Sequence, residues 1–337
     1  MSVARQLKRS QEVGASISLA LDRLIQPPAQ FPLITVDPLP SQRKAYIGRY
    51  ALDNDIWVSL ILPSPQRVQD SRAFQNLSVK SIIDATLTLN DGTSEVVGDC
   101  AVISMPQNAI SHFLRISTEI LELWLRGANF DEVLEVIDAW FAALIRQSKM
   151  SETAALGLWG ELIVIRSAQS SDDMVAAWHN DSNSTYDFTL ENSQLLEVKT
   201  TSKSRRQHHF SAGQTVAMNT DELTIFSLMA QRTENGVSIN QLKTEILGRL
   251  KSAKSVKSFL RKFAAECNPT DTALDDLKWN LSLAEKLARL YDGADLVTPK
   301  YSFPIVEVNW THDFEDLQGY RLTSHPVLGN WFRSIKP

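Results

Sequence analysis

The sequence predicts an α+β (α/β) protein: a mixed sheet core flanked by helices, preceded by a β-rich region and a helical linker. Three observations carry this. Short β-like runs with a hairpin turn fill residues 44–105, two amphipathic helices follow, and residues 151–235 then alternate helix, strand pair and strand. The 337 residues suffice for two ordinary domains. The boundary is expected between 148 and 149, with an N-terminal region over 1–148 and a second domain, including a C-terminal helical extension, over 149–337.

Residues 1–26 read as one helix that stops at Pro27-Pro28, and the proline-rich stretch 27–43 as an extended connector. AYIGRYAL, DIWVSLILP, SIIDATLTL and VVGDCAVISM have strand character, and Asn90-Asp91-Gly92-Thr93 is a hairpin turn between the last two. Helices are expected over 109–126 and 130–147, the second with Phe130, Val133, Ile137, Phe141 and Leu144 at helical spacing. Ser151 caps an almost wholly apolar helix, SETAALGLWGELIVIRSA. YDFTL and QLLEVKTT read as neighbouring strands across a turn at Glu191-Asn192-Ser193, and ELTIFSLMAQR as a third. A basic helix near 239–264, a helix near 279–291 and a strand FPIVEVNW complete the chain.

Hydrophobic residues make up 43% and charged residues 22%, the proportions of a folded chain rather than a disordered one. No apolar run is long enough to span a membrane, and Asp22 and Arg23 break the only stretch resembling a leader, so a cytoplasmic location is expected. Cys100 and Cys267 cannot supply a four-ligand zinc site. Net charge is −5, yet residues 243–262 set seven basic residues against Glu245 alone, a window of +6 that leaves −11 elsewhere. Lys199, Lys203, Arg205 and Arg206 form a second basic run. Such patches bind phosphates or are simply solvated faces. Lys254, Lys257 and Arg261 share a helical face, with Lys251 and Lys262 beside them, so this segment is a candidate for holding a nucleic-acid backbone.

The chemistry concentrates in QLLEVKTT. Side chains alternate on a strand, so Glu197 and Lys199 share one face, opposite Val198 and Thr200. Asp187, ten positions upstream on the preceding strand, can lie beside Glu197. Two carboxylates so placed suit a hard divalent cation, with the Val198 carbonyl as a third ligand. Lys199 can then orient or help deprotonate an attacking water while the cation stabilises phosphate charge. Glu161 lies on a helix face with no charged neighbour, which costs free energy unless it is paired, hydrogen-bonded or metal-bound. Taken singly, Glu-x-Lys is usually a surface ion pair; the conjunction of helix acid, strand acid, Glu-x-Lys and basic segment is the signal. His208 and His209 point to opposite faces of an extended segment, so a phosphate contact or a structural role for one suits them better than joint metal binding. P-loop, Gly-x-Ser-x-Gly and His-Glu-x-x-His motifs are absent.

GLWGELIVIRSA (157–168), Trp178, YDF (186–188), LEVKTT (196–201) and RQHHFSAGQ (206–214) resemble the PD-(D/E)XK motif proteins of the DUF4420 family. The likeness extends to FLRISTEILELW and, more loosely, FPIVEVNW. It implies a restriction-endonuclease-like fold and a Mg²⁺-dependent (or Mn²⁺-dependent) DNA endonuclease in bacterial restriction or phage defence. Members of that family sit beside ATPases, helicase-like proteins and DNA methyltransferases, which are the implied partners. By position, Asp187, Glu197 and Lys199 become the catalytic trio, Glu161 the helix acid and Gln214 an accessory residue. Tyr186 stands where the motif has proline. The alternative is a non-catalytic subunit that uses the same fold to grip DNA or another protein. A double-strand cut by one site per chain is compatible with a homodimer.

Overall fold

The computed structural model describes residues 3–24, 35–38, 43–52, 55–64, 72–74, 77–89, 91–145, 149–179, 184–211, 214, 222–268, 271–300 and 308–333. Two compact units result: residues 1–141 with 252–257, and residues 142–251 with 258–337. The units thus divide between 141 and 142, where the sequence reading placed a boundary between 148 and 149, and a short later segment groups with the first. Within that segment the Lys257 ammonium lies 3.4 and 3.3 Å from Glu132 and Glu135.

The first unit opens with α1 (Val3–Arg23) and continues through β1 (Thr35–Pro38), β2 (Tyr46–Leu52), β3 (Asp55–Pro63), β4 (Arg72–Phe74), β5 (Leu77–Leu89) and β6 (Ser94–Pro106). The sheet order is β1-β2-β3-β6-β5-β4, and β1 also pairs in parallel with β5. That extra pairing, Thr35 with Thr88 and Val36 with Leu89, closes five strands into a ring and covers part of the β1 edge. Tyr46, Ile61, Ala85, Leu87, Cys100 and Val102 form a buried cluster on it. The β5–β6 turn forms where expected: Gly92 adopts φ +86°, and Asp91 accepts from the Thr93 N–H at 2.9 Å. Helices α2 (Ile110–Leu125) and α3 (Phe130–Ile145) follow. Two arginines, Arg49 buried and Arg43 half-buried, satisfy the helix ends. Arg49 donates to Leu21 O in the last turn of α1 and to Leu24 O just past it, and Arg43 donates to Trp124 O in the last turn of α2 and to Ala128 O beyond it.

The second unit is built on α4 (Glu152–Ser167), which Ser151 caps by accepting from the Ala154 N–H at 3.1 Å. After α5 (Ser171–Ala177) come β7 (Phe188–Thr189), β8 (Leu195–Thr201), β9 (Gln207–Ser211), β10 (Leu223–Met229) and β11 (Arg232–Ser238). Helices α6 (Ile239–Arg249), α7 (Ala253–Glu266) and α8 (Ala273–Asp276) precede β12 (Lys278–Trp279), α9 (Leu281–Leu287), β13 (Arg289–Asp292) and β14 (Asn309–Asp313). The central sheet runs β13-β10-β8-β7 and is mixed: β8 and β10 are parallel, the outer pairings antiparallel. β9 and β14 form a two-stranded ribbon, as do β11 and β12.

Four expectations change. The strand expected at YDFTL shrinks to Phe188–Thr189, so Asp187 stands just before the strand rather than on it. The single basic helix is two, because Leu250 turns to extended backbone and the Ser252 hydroxyl caps α7 by accepting from Ser255 N–H at 3.0 Å. The helix expected to 291 ends at Leu287, and Arg289–Asp292 becomes a strand whose Leu290 and Tyr291 pair with Phe226 and Ile225. Sheet pairing there overrides local helical pattern. The strand expected at FPIVEVNW begins at Asn309; residues 301–307 lie outside the described residues.

Packing of α4 on the sheet depends on Gly160. A Cβ at that position would fall 2.0 Å from Thr200 Oγ1 and 3.3 Å from Val198 Cγ1. The helix therefore rests on the Val198/Thr200 face of β8, which leaves Glu197 and Lys199 to the opposite face. Gly160→Ala is expected to destabilise the protein by about 1–3 kcal/mol, the usual cost of overpacking a core. Adding Thr200→Ala should recover most of that loss in denaturant titrations.

Candidate active site

β8 presents Glu197 and Lys199 on one face, and Asp187 arrives at the same strand from the short β7 edge. Asp187 Oδ2 accepts from the Val198 N–H at 2.7 Å. A residue's N–H and C=O lie on the same edge of a strand, so the Val198 carbonyl also points toward the Asp187 side, beyond the last β7 pair. Glu197 is only 4% exposed. Its Oε1 accepts from Gln214 Nε2 at 2.5 Å and lies 2.8 Å from Lys199 Nζ. Its Oε2 is buried with no hydrogen-bond partner.

Lys199 is held from several sides. Its ammonium lies 3.4 Å from Gln214 Oε1 and 4.9 Å from the centre of the Phe210 ring. Gln214 is itself fixed: its Oε1 accepts from Ser211 N–H at 3.1 Å, and Tyr186 donates its hydroxyl to Gln214 O at 3.2 Å. From α4, Glu161 reaches the same region, and its Oε2 accepts from the Trp178 indole N–H at 2.7 Å. The structure therefore brings Asp187, Glu197, Lys199, Val198, Glu161 and Gln214 together.

Electrostatics mark the cluster as under-compensated. Burial, then the charge of Glu197, pushes the Asp187 carboxyl up to about 8, against the pull of the Val198 N–H. Burial and then Asp187 hold Glu161 well above the ordinary carboxylate range, with Glu266 and Glu197 adding to the effect. Glu197 is also raised by burial, opposed by Lys199. Among the described residues no three or more His, Cys, Asp or Glu side chains are already gathered around one metal position. The donor set nevertheless fits a hard divalent cation. It consists of oxygen atoms, one of them buried and unpartnered, in a cluster with excess negative charge.

The other expected contacts divide. Lys203, Arg205, Lys251, Lys254 and Arg261 are exposed, and Arg205 pairs with Asp313 at 2.9 Å. Arg206 and His208 are corrected: both are buried. Arg206 donates to Ser227 O, Ser227 Oγ and Leu287 O, so its guanidinium ties β10 to the end of α9 rather than reaching a phosphate. His208 lies 2.7 Å from Ser227 Oγ, and burial followed by the Arg206 charge lowers it to about 3, which keeps it neutral. Lys257 is half-buried and pairs with Glu132 and Glu135. Of the remaining basic window, Lys243 is buried near the Phe263 ring and Arg249 pairs with Glu245. Much of the +6 window is therefore internal.

The sequence reading missed Glu266, whose charge acts on both Glu161 and Asp187. Nothing in its local sequence marks it, because the helix that carries it is remote in the chain. The raised Asp187 value also fixes a direction of pH dependence. In the metal-free protein the unfolded chain releases this proton near pH 4, and the native state releases it near 8. Stability from this group is thus full below about 4, falls as pH rises, and stops falling above about 8. In chelator, Asp187→Asn is expected to raise the melting temperature relative to wild type more at pH 8 than at pH 5.

The family comparison agrees with this geometry. The model of the DUF4420 family, described as "Putative PD-(D/E)XK family member", matches residues 30–289. No curated protein and no solved structure gives a significant match. The matched segment contains the α4 acid, Asp187, the Glu197-Val198-Lys199 strand and Gln214, and the fold is mixed α/β with a nuclease-like core. The chain belongs to the DUF4420 family.

Proposed function

We propose that this chain is a divalent-cation-dependent DNA endonuclease of a bacterial restriction or phage-defence system. The observation that carries the reading is the buried, unpartnered Glu197 Oε2, set beside Asp187 and one strand position pair away from Lys199. Asp187, Glu197 and the Val198 carbonyl would hold the cation. Mg²⁺ or Mn²⁺, when bound, would neutralise charge on the scissile phosphate and lower the pKa of a coordinated water.

The chain's own groups perform the rest. Gln214 holds Glu197 Oε1, which leaves Oε2 for the cation. Lys199, packed over Phe210, supplies a fixed positive charge for the attacking water or the developing phosphate charge. Glu161, oriented by the Trp178 indole, adds an acid from the helix side. The exposed Lys203 and Arg205 follow β8 directly and offer contacts to the DNA backbone, as Lys251 and Arg261 do elsewhere on the unit. Among the described residues no helix is long and apolar enough to cross a membrane.

The test is plasmid DNA incubated with purified protein and Mg²⁺, with and without EDTA, together with any partner ATPase. Cleavage should appear only with the cation. Glu197→Ala should lose both Mn²⁺ binding and cleavage, since a carboxylate ligand is gone. Lys199→Met should keep Mn²⁺ binding yet cut on the order of 10²–10⁴-fold more slowly. DNA binding should survive both substitutions. Equal cleavage by Lys199→Met and wild type would remove Lys199 from the mechanism. Tight DNA binding by wild type with no cleavage under any of these conditions would favour the non-catalytic subunit.

A further inference from the structure

A lysine outside the motif contacts the scaffold of the site. Lys262 lies on α7, and its Nζ donates to Val175 O at 2.8 Å and to Trp178 O. These are carbonyls at the C-terminal end of α5, the end where a cation is favoured. Burial lowers the lysine to about 8, so its charge is held there at a cost that a solvated lysine would not bear.

Trp178 is the junction. It is fully buried, and its ring centre lies 6.0 Å from that of Phe259, one turn before Lys262 on α7. Its main chain bridges antiparallel to Phe188, and the next residue, His179, donates its N–H to Asp187 O at 2.8 Å. Its indole N–H reaches Glu161 at 2.7 Å. One short segment thus fixes two of the site's acids, Asp187 through the main chain and Glu161 through the indole. Lys262 grips that segment at the Trp178 carbonyl.

We propose that Lys262 is a positioning residue for the cation site: by clamping Val175 O and Trp178 O it holds the Trp178 indole against Glu161 and the His179 amide against Asp187. The inference rests on the reading of this cluster as a cation site. It assigns Lys262 no contact with substrate, and it separates this lysine from the exposed basic residues of the same window. Groups that orient metal ligands from behind typically change affinity about 10–100-fold when removed.

The experiment is Mn²⁺ titration by calorimetry on the full chain without DNA. Variants are Lys262→Met, Lys262→Arg, Trp178→Phe, Glu161→Gln and the double Lys262→Met/Glu161→Gln. Lys262→Met should weaken Mn²⁺ binding about ten-fold or more. Lys262→Arg, which can still donate to the carbonyls, should recover most of the loss. Trp178→Phe keeps a ring against Phe259 and removes only the indole donor, so it carries the test if Lys262→Met does not fold; it should weaken binding as well. In the Glu161→Gln background, adding Lys262→Met should cost markedly less than it does in wild type. Wild-type affinity in folded Lys262→Met or in Trp178→Phe, or full additivity in the double variant, overturns the inference and leaves the cation site standing. A wild type that binds no Mn²⁺ overturns the cation-site reading and the inference with it.

Discussion

Burial of three carboxyl groups, aggravated at two of them by like charge, is the constraint on which the second unit depends. Glu161, Asp187 and Glu197 come from a helix, a pre-strand turn and a strand; burial raises all three, Glu197 adds to the rise at Asp187, and both of these add to it at Glu161. Burying such groups without a counter-charge is expensive. The fold offsets part of that cost with fixed donors: the Val198 amide for Asp187, the Trp178 indole for Glu161, and Gln214 with Lys199 for Glu197. The donors are too few, and Glu197 Oε2 receives none. A residual deficit of positive charge in an oxygen-lined site is what a divalent cation satisfies.

Much of the surrounding architecture can be understood as holding these groups in place. The missing side chain at Gly160 lets α4 sit directly on the Val198/Thr200 face of β8. That contact sets which face of β8 is free for Glu197 and Lys199. The brevity of β7 matters as much: its pairing with β8 ends at Phe188 opposite Leu196, and the strand edge beside Val198 is left for the Asp187 side chain. Arg206 and His208 fasten β9 to β10 through Ser227, which fixes the ribbon residue Phe210 beneath Lys199.

The sequence made the local pattern of this site legible and left its long-range support hidden. Alternation on a strand was enough to put Glu197 and Lys199 on one face, because side-chain period on a strand is geometrically fixed. The apolar helix face on which Glu161 has no charged neighbour announced that residue for a similar reason. The parallel pairing of β8 with β10 and the strand at Arg289–Asp292 were not legible, since sheet partners are chosen by tertiary packing. Charge counting misled most. Arg206 in one basic run and Lys243, Arg249, Lys257 and Lys262 in another look like cationic surface in sequence, yet each is engaged by carbonyls, carboxylates or an aromatic ring. Side-chain direction, which composition does not encode, decided their roles.

The central claim is that the free oxygen of Glu197 and the Asp187 carboxylate share one divalent cation. A crystal structure of the protein grown with Mn²⁺, with anomalous data collected near the manganese edge, tests it most directly. The account predicts one strong anomalous peak within about 2.3 Å of Glu197 Oε2 and of an Asp187 carboxylate oxygen, beside the Val198 carbonyl. Ordered density for all three residues with no manganese between them, and Lys199 still paired to Glu197, would contradict it.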